Sequence, residues 1–130
     1  MAKISSDITE SFVEETSELL EQSKKDVINL KNTQNDEMTL QNLLRNLHTI
    51  KGNARMLGFL TIEKLSHALE DIYKSVKDGQ VKNSDRLVKL VFAVAEKIQD
   101  CVKSIRKKGS DENDIEIYLQ YCEIGRASCR

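Results

Sequence analysis

The sequence predicts an all-α protein: an antiparallel, up-down-up-down four-helix bundle with a short fifth helix near the C-terminal end. Three observations predict it. The 130 residues include no proline and only five glycines, so little in the chain interrupts a helix. Aromatic residues make up 5% and charged residues 32%, a balance suited to amphipathic helices. Apolar residues recur every three or four positions in long segments joined by short polar links, and short links make neighbouring helices antiparallel. The length is that of one domain with a single core.

The first helix runs from about Asp7 to Leu30, with Ile8, Phe12, Leu19, Leu20, Val27 and Leu30 on one side. The polar run Asn32-Thr33-Gln34-Asn35-Asp36 breaks it. The second covers about Thr39 to Leu57 and stops at Gly58, a residue suited to a left-handed C-cap. The third starts near Thr61 and ends at Asp78-Gly79. The fourth spans roughly Ser84 to Lys107, with Ser84 as N-cap, and stops at Gly109. Its closing Arg106-Lys107-Lys108 run suits the negative end of the helix dipole. The short fifth helix is read over Asp114 to Cys122.

The last eight residues, 123–130, differ in character. They can be encoded by GAG ATC GGA AGA GCG TCG TGT AGG, which resembles a widely used sequencing adapter read in frame. The bundle is therefore expected to occupy 1–122 and to continue naturally into something longer, with 123–130 a suspected non-native, adapter-derived tail; an ordinary polar tail is the alternative.

The formal net charge is −1, which argues against nucleic acid as a partner. The distribution is uneven. Residues 1–38 carry 4 basic and 9 acidic side chains, whereas residues 39–78 carry 6 and 4. That central positive excess suits an anionic group or an acidic partner surface. No apolar run approaches the length of a membrane span, and the N-terminus has no signal-peptide hydrophobic region. The expectation is a cytoplasmic protein without membrane insertion. Cys101, Cys122 and Cys129 are odd in number and lack CxxC spacing, so they read as free thiols in a reducing compartment.

The most informative stretch surrounds His48. At 100° per residue, Leu40, Leu43, Leu47, Ile50, Ala54 and Leu57 form the core stripe of the second helix. His48 lies at the edge of the polar face with Gln41, Arg45, Lys51, Gly52 and Arg55. Imidazole is a nitrogen nucleophile that is substantially neutral near physiological pH, so a histidine held there can accept a phosphoryl group and release it. Gly52 sits one turn after His48, in mid-helix, where glycine costs roughly 1 kcal/mol relative to alanine. Its missing side chain would uncover the ring and admit a partner's backbone, while Lys51 and Arg55 could stabilise a doubly charged phosphoryl group.

On the third helix Ile62, Leu65, Leu69, Ile72 and Val76 form the core stripe, and Glu63, His67, Glu70 and Lys74 share the opposite, solvent face. An antiparallel hairpin centred on Gly58-Phe59 sets His48 level with Glu70, Lys51 with His67, and Arg55 with Glu63. A carboxylate accepting from Nδ1–H of His48 would leave the Nε2 lone pair free to attack and would stabilise the charge developing on the ring.

The run His-Thr-Ile-Lys-Gly-x-Ala-x-x-Leu-Gly-Phe at 48–59 resembles the phosphoacceptor motif of histidine phosphotransfer (HPt) domains. Leu65-Ser66-His67-Ala68-Leu69-Glu70 resembles the companion motif of one branch, the N-terminal domain of CheA-type chemotaxis histidine kinases. The first helix, with Phe12, Glu14, Glu15, Glu18, Leu19 and Leu20, is similar to that branch too, as is the Lys77-Asp78-Gly79 turn. Met56 and Leu57 stand where that branch more often has a small polar residue and a phenylalanine.

The resemblance implies that His48 is phosphorylated on Nε2, that Glu70 orients it, and that Lys51 and His67 complete the hydrogen-bond network. It implies a phosphorelay carrier between two partners, an ATP-dependent histidine kinase catalytic domain and a response-regulator receiver aspartate. Gly52, Arg45 and Arg55 would lie on the docking surface. No cofactor is expected on this chain, because ATP and Mg²⁺ would bind the separate kinase domain. From the residues alone, two other readings stay open. One is a helical scaffold whose His48 is vestigial, and the other is a zinc site built from His48, His67 and Glu70, which a neighbouring Lys51 would oppose.

Overall fold

A computed structural model describes residues 6–33 and 36–128. Five helices follow one another: α1 (Ser6–Asn32), α2 (Glu37–Leu57), α3 (Leu60–Lys77), α4 (Asp85–Lys108) and α5 (Glu116–Ser128), with no strand among the described residues. Gln34 and Asn35 of the predicted break, and Cys129 and Arg130 of the tail, lie outside the described residues.

Helices adjacent in sequence are adjacent in space. α1 packs on α2, α2 on α3 and α3 on α4, and α4 closes back on α1. The diagonal pairs make no close approach, which is the arrangement of four antiparallel helices around one core. α5 lies against α3 and α4. The predicted stripes meet at the centre, where Leu20, Leu43, Leu47, Ile50, Ile62, Leu65, Leu69, Ile72 and Ile98 are fully buried. Each such side chain contributes about 1.5–3 kcal/mol relative to an exposed position.

Two expectations are corrected. Ile8 is exposed, because the first turn of α1 stands at the end of the bundle, beside Met56 and Leu57 at the end of α2. The fifth helix begins at Glu116, after Asp114, and runs on through Ser128 instead of ending at Cys122. Within that extension Gly125 is buried against Leu87 and Leu90 of α4. Cys122 and Cys101 are buried free thiols, and burial pushes them up to about 12 and about 11, so both stay protonated.

The ends of α2 and α3 matter most, because they set the register between them. Asp36 caps α2, its carboxylate accepting from the Thr39 backbone N–H at 3.0 Å and from the Thr39 hydroxyl at 2.8 Å. Gly58 ends α2 at φ 81°, a left-handed conformation that costs any other L-residue energy. The Phe59 N–H closes the turn on Ala54 O at 2.8 Å, and the Phe59 ring packs on Phe12 of α1 at 5.0 Å between centroids. α3 has no side-chain cap from its own sequence, since Phe59 occupies that position. Its cap comes from the loop after α4, where buried Asp111 accepts from the Ile62 N–H at 2.8 Å and from Thr61. Burial pushes the Asp111 carboxyl up, and those two backbone donors pull it back.

Asp111→Ala therefore leaves two helix-terminal N–H groups without their partner and should destabilise the fold by about 1–2 kcal/mol. Asp111→Asn keeps an acceptor and should recover part of the loss. Urea unfolding of the two variants checks this, and equal losses would rule out capping as the cause.

Candidate functional site

His48 stands in the middle of α2, and Glu70 stands opposite it on α3. The His48 Nδ1 lies 3.0 Å from Glu70 Oε2. Lys51, one turn along α2, donates from Nζ to the other oxygen, Oε1, at 2.6 Å. Lys74, one turn along α3, places its Nζ 3.9 Å from Oε2. The carboxylate is thus held by two elements, with a different donor on each oxygen.

Burial separates the members of this cluster. The Glu70 side chain is only 4% exposed, whereas the His48 side chain is 67% exposed. Burial pushes the Glu70 carboxyl up, but the hydrogen bonds from Lys51 and His48 and the charges of Lys51 and Lys74 outweigh it. The carboxyl is held below its ordinary value of 4.5 and is ionised at neutral pH. An ionised carboxylate only accepts, so the Nδ1 of neutral His48 carries the proton and its Nε2 carries the lone pair. The result is a nucleophilic nitrogen on an open surface, oriented by a group beneath it.

The hairpin register places His48 against Glu70, as the position of the turn predicts, and Arg55 against Glu63 at 3.7 Å. Three expectations are corrected. Glu70 does not sit on a solvent face. The buried sector of α3 is wider than its apolar stripe and includes Ser66, Glu70 and Tyr73, because α2 covers that flank. Lys51 does not pair with His67, since its flexible ammonium reaches the buried Glu70 carboxylate instead. His67 does not join the hydrogen-bond network around His48. It lies about 60° further round α3 than Glu70, away from α2, and its Nε2 is 3.5 Å from Asp71. That arrangement also disassembles the zinc alternative. Among the described residues no three His, Cys, Asp or Glu side chains are grouped to hold a metal ion.

Gly52 is exposed, and a Cβ built on it would meet nothing within 4 Å. Packing therefore does not require glycine there. Arg45 is exposed and bonded to Asn42, its neighbour on the same helix. Next to this surface lies a feature that sequence periodicity did not reveal. Ile8, Ser11, Phe12 and Glu15 of α1 and Asn53, Met56 and Leu57 of α2 line an open groove of about 200 Å³. Met56 is 80% exposed, and its position on the polar side of the α2 wheel was the available signal.

Fold and site together are those of an all-helical bundle that presents an exposed histidine oriented by a buried carboxylate. Residues 7–113 match the Hpt domain model, and the chain belongs to that family. It is 29% identical over 108 residues to the sensor histidine kinase CheAY of Helicobacter pylori, covering 83% of this chain and 13% of that protein. The chain thus spans about one-eighth of the length of that curated relative. The solution structure of the histidine phosphotransfer domain of CheA superposes with a TM-score of 0.82 at 28% identity, covering 92% of each chain. The phosphorylated P1 domain of CheA3 in complex with CheY6 from R. sphaeroides gives the same TM-score of 0.82 at 19% identity, covering 95% of this chain and 98% of that one.

The depressed carboxyl of Glu70 has a consequence for stability. A group whose folded pKa is lowered stabilises the fold above its unfolded pKa, and that contribution is lost as pH falls through the folded value. Glu70→Gln should therefore cost about 1–3 kcal/mol at pH 7, with Lys51 left facing an uncharged amide. The difference from wild type should shrink as pH falls below 4.5, the ordinary carboxyl value. Thermal melts of both proteins between pH 7 and 3 test this, and a gap independent of pH would refute it.

Proposed function

We propose that this chain is the phosphoacceptor domain of a histidine protein kinase of the chemotaxis type. One observation carries the reading: an ionised, buried Glu70 fixes Nδ1–H of a largely exposed His48 and so directs the Nε2 lone pair outward. The Nε2 attacks the γ-phosphorus of ATP held by a separate kinase domain. The bond to the ADP oxygen breaks as the N–P bond forms, and the ring becomes a phosphoimidazolium whose charge Glu70 balances. A receiver aspartate then attacks the phosphorus, and His48 is regenerated. The domain needs no cofactor of its own, because ATP and Mg²⁺ belong to the kinase domain.

Membership of the Hpt family supports this reading, as do relatives bearing the name chemotaxis protein CheA. A carrier has to present its histidine to two partners in turn, which suits a convex surface better than a pocket. Arg45 and Arg55 flank His48 along α2, and Gly52 keeps the intervening surface low. The groove between Ile8 and Met56 continues that surface and offers apolar area to a receiver domain. No described helix is long and apolar enough to cross a membrane.

With a cognate kinase and ATP, His48→Gln should abolish acid-labile, base-stable incorporation of radioactive phosphate. Undiminished labelling of that variant would refute the assignment. Gly52 separates docking from folding. Gly52→Ala should raise stability by about 0.5–1 kcal/mol, because its Cβ meets no neighbour and alanine favours helix. The same change, and more strongly Gly52→Gln, should slow phosphoryl exchange with the protein partners several-fold. Transfer rates unchanged in both variants would remove Gly52 from the docking surface.

A further inference from the structure

Glu70 Oε2 is shared. It accepts the Nδ1–H of His48 at 3.0 Å, and Lys74 Nζ stands 3.9 Å from the same atom. Lys51 is committed to the opposite oxygen at 2.6 Å. The remaining charged groups of this flank are tied elsewhere. On α2, Arg55 faces Glu63 and Arg45 is bonded to Asn42; on α3, His67 faces Asp71. Lys74 therefore adds a second cation to the carboxylate, on the oxygen that holds the histidine proton.

This position matters after phosphorylation. In the resting domain the His48 Nδ1–H is held by Glu70 Oε2. Once Nε2 carries a phosphoryl group, the ring is a phosphoimidazolium as long as Nδ1 keeps its proton, and a neutral phosphoimidazole once that proton leaves to solvent. The two forms differ in reactivity. Departure of a neutral imidazole from the protonated form is easy, while departure of an imidazolate from the neutral form is hard. The charge state of Oε2 decides how long the proton stays. The Glu70 anion holds it, and a cation beside the same oxygen weakens that hold.

We propose that Lys74 is a positioning residue that acts through Glu70 Oε2, loosening the His48 Nδ1 proton in the phosphorylated domain and so lengthening the life of the phosphohistidine. The inference rests on His48 being the phosphoacceptor. The Lys74 side chain meets the site through Glu70 Oε2. Its side chain is 57% exposed, so its influence is reduced by solvent and by salt.

Potassium phosphoramidate, a small phosphoryl donor, can label the domain without a kinase, and ³¹P NMR can follow loss of the phosphohistidine signal between pH 5 and 9. The rate should fall with a sigmoidal pH profile as Nδ1 deprotonates. Lys74→Met should move the midpoint upward by a few tenths of a unit, which is roughly a two- to threefold faster loss on the alkaline limb. Lys74→Arg, which keeps the charge, should restore the wild-type profile, and added salt should move the wild type toward Lys74→Met. Coincident profiles for wild type and Lys74→Met would overturn the proposal. An equal shift in Lys74→Arg would overturn it too, since charge would not be the cause. Failure of the wild type to form phosphohistidine at His48 would defeat the phosphoacceptor reading itself, and is seen before any variant is compared.

Discussion

Burying a carboxylate between two helices is unfavourable unless its charge is met, and Glu70 is where this protein accepts that cost. Lys51 meets it from α2 on one oxygen, and His48 meets it from α2 on the other. Because both donors come from the facing helix, the ion cluster also ties α2 to α3. The same bond that satisfies the carboxylate determines which nitrogen of His48 is free. Stability and reactivity at this site are therefore two consequences of one interaction.

That interaction depends on a register maintained from a distance. A slip of one residue between α2 and α3 would turn Glu70 away from His48. The left-handed turn at Gly58, the Phe59 ring against Phe12 and the Asp111 cap on α3 hold the hairpin against such slippage. Each uses a different part of the chain: the turn itself, the first helix and the loop after the fourth. The site is assembled by only two helices, yet its geometry draws on the whole bundle. A second polar chain supports the other end, where the buried Tyr73 hydroxyl donates to Asn83 and Asn83 donates to Val27 O of α1.

The surface around His48 is chemically simple for a reason. If the domain passes a phosphoryl group between two protein partners, as proposed, its histidine has to stay open, because an enclosed one could be reached by neither. Open space above Gly52 and the exposure of the imidazole serve access. The reacting charge is handled from below, by groups that never leave the protein. Lys74 adds a further cation to that support, 3.9 Å from Glu70 Oε2.

Much of this was legible in the residues. Period and punctuation determined the four long helices, the Ser84 cap and the Gly58 stop, because these are local properties of backbone and side chain. The symmetry of an antiparallel hairpin then determined that His48 faces Glu70 and Arg55 faces Glu63. Tertiary structure decided the rest. Whether the flank of α3 is solvent or interior depends on how far α2 wraps around it, and no periodicity within α3 records that. The commitment of Lys51 to Glu70, and the turn of His67 toward Asp71, follow from which charges share the covered side. The Asp111 cap joins residues 49 positions apart, and the groove at Ile8 and Met56 exists only where two helix ends meet. A sequence assigns each side chain a direction from its own helix axis; only packing decides what lies in that direction.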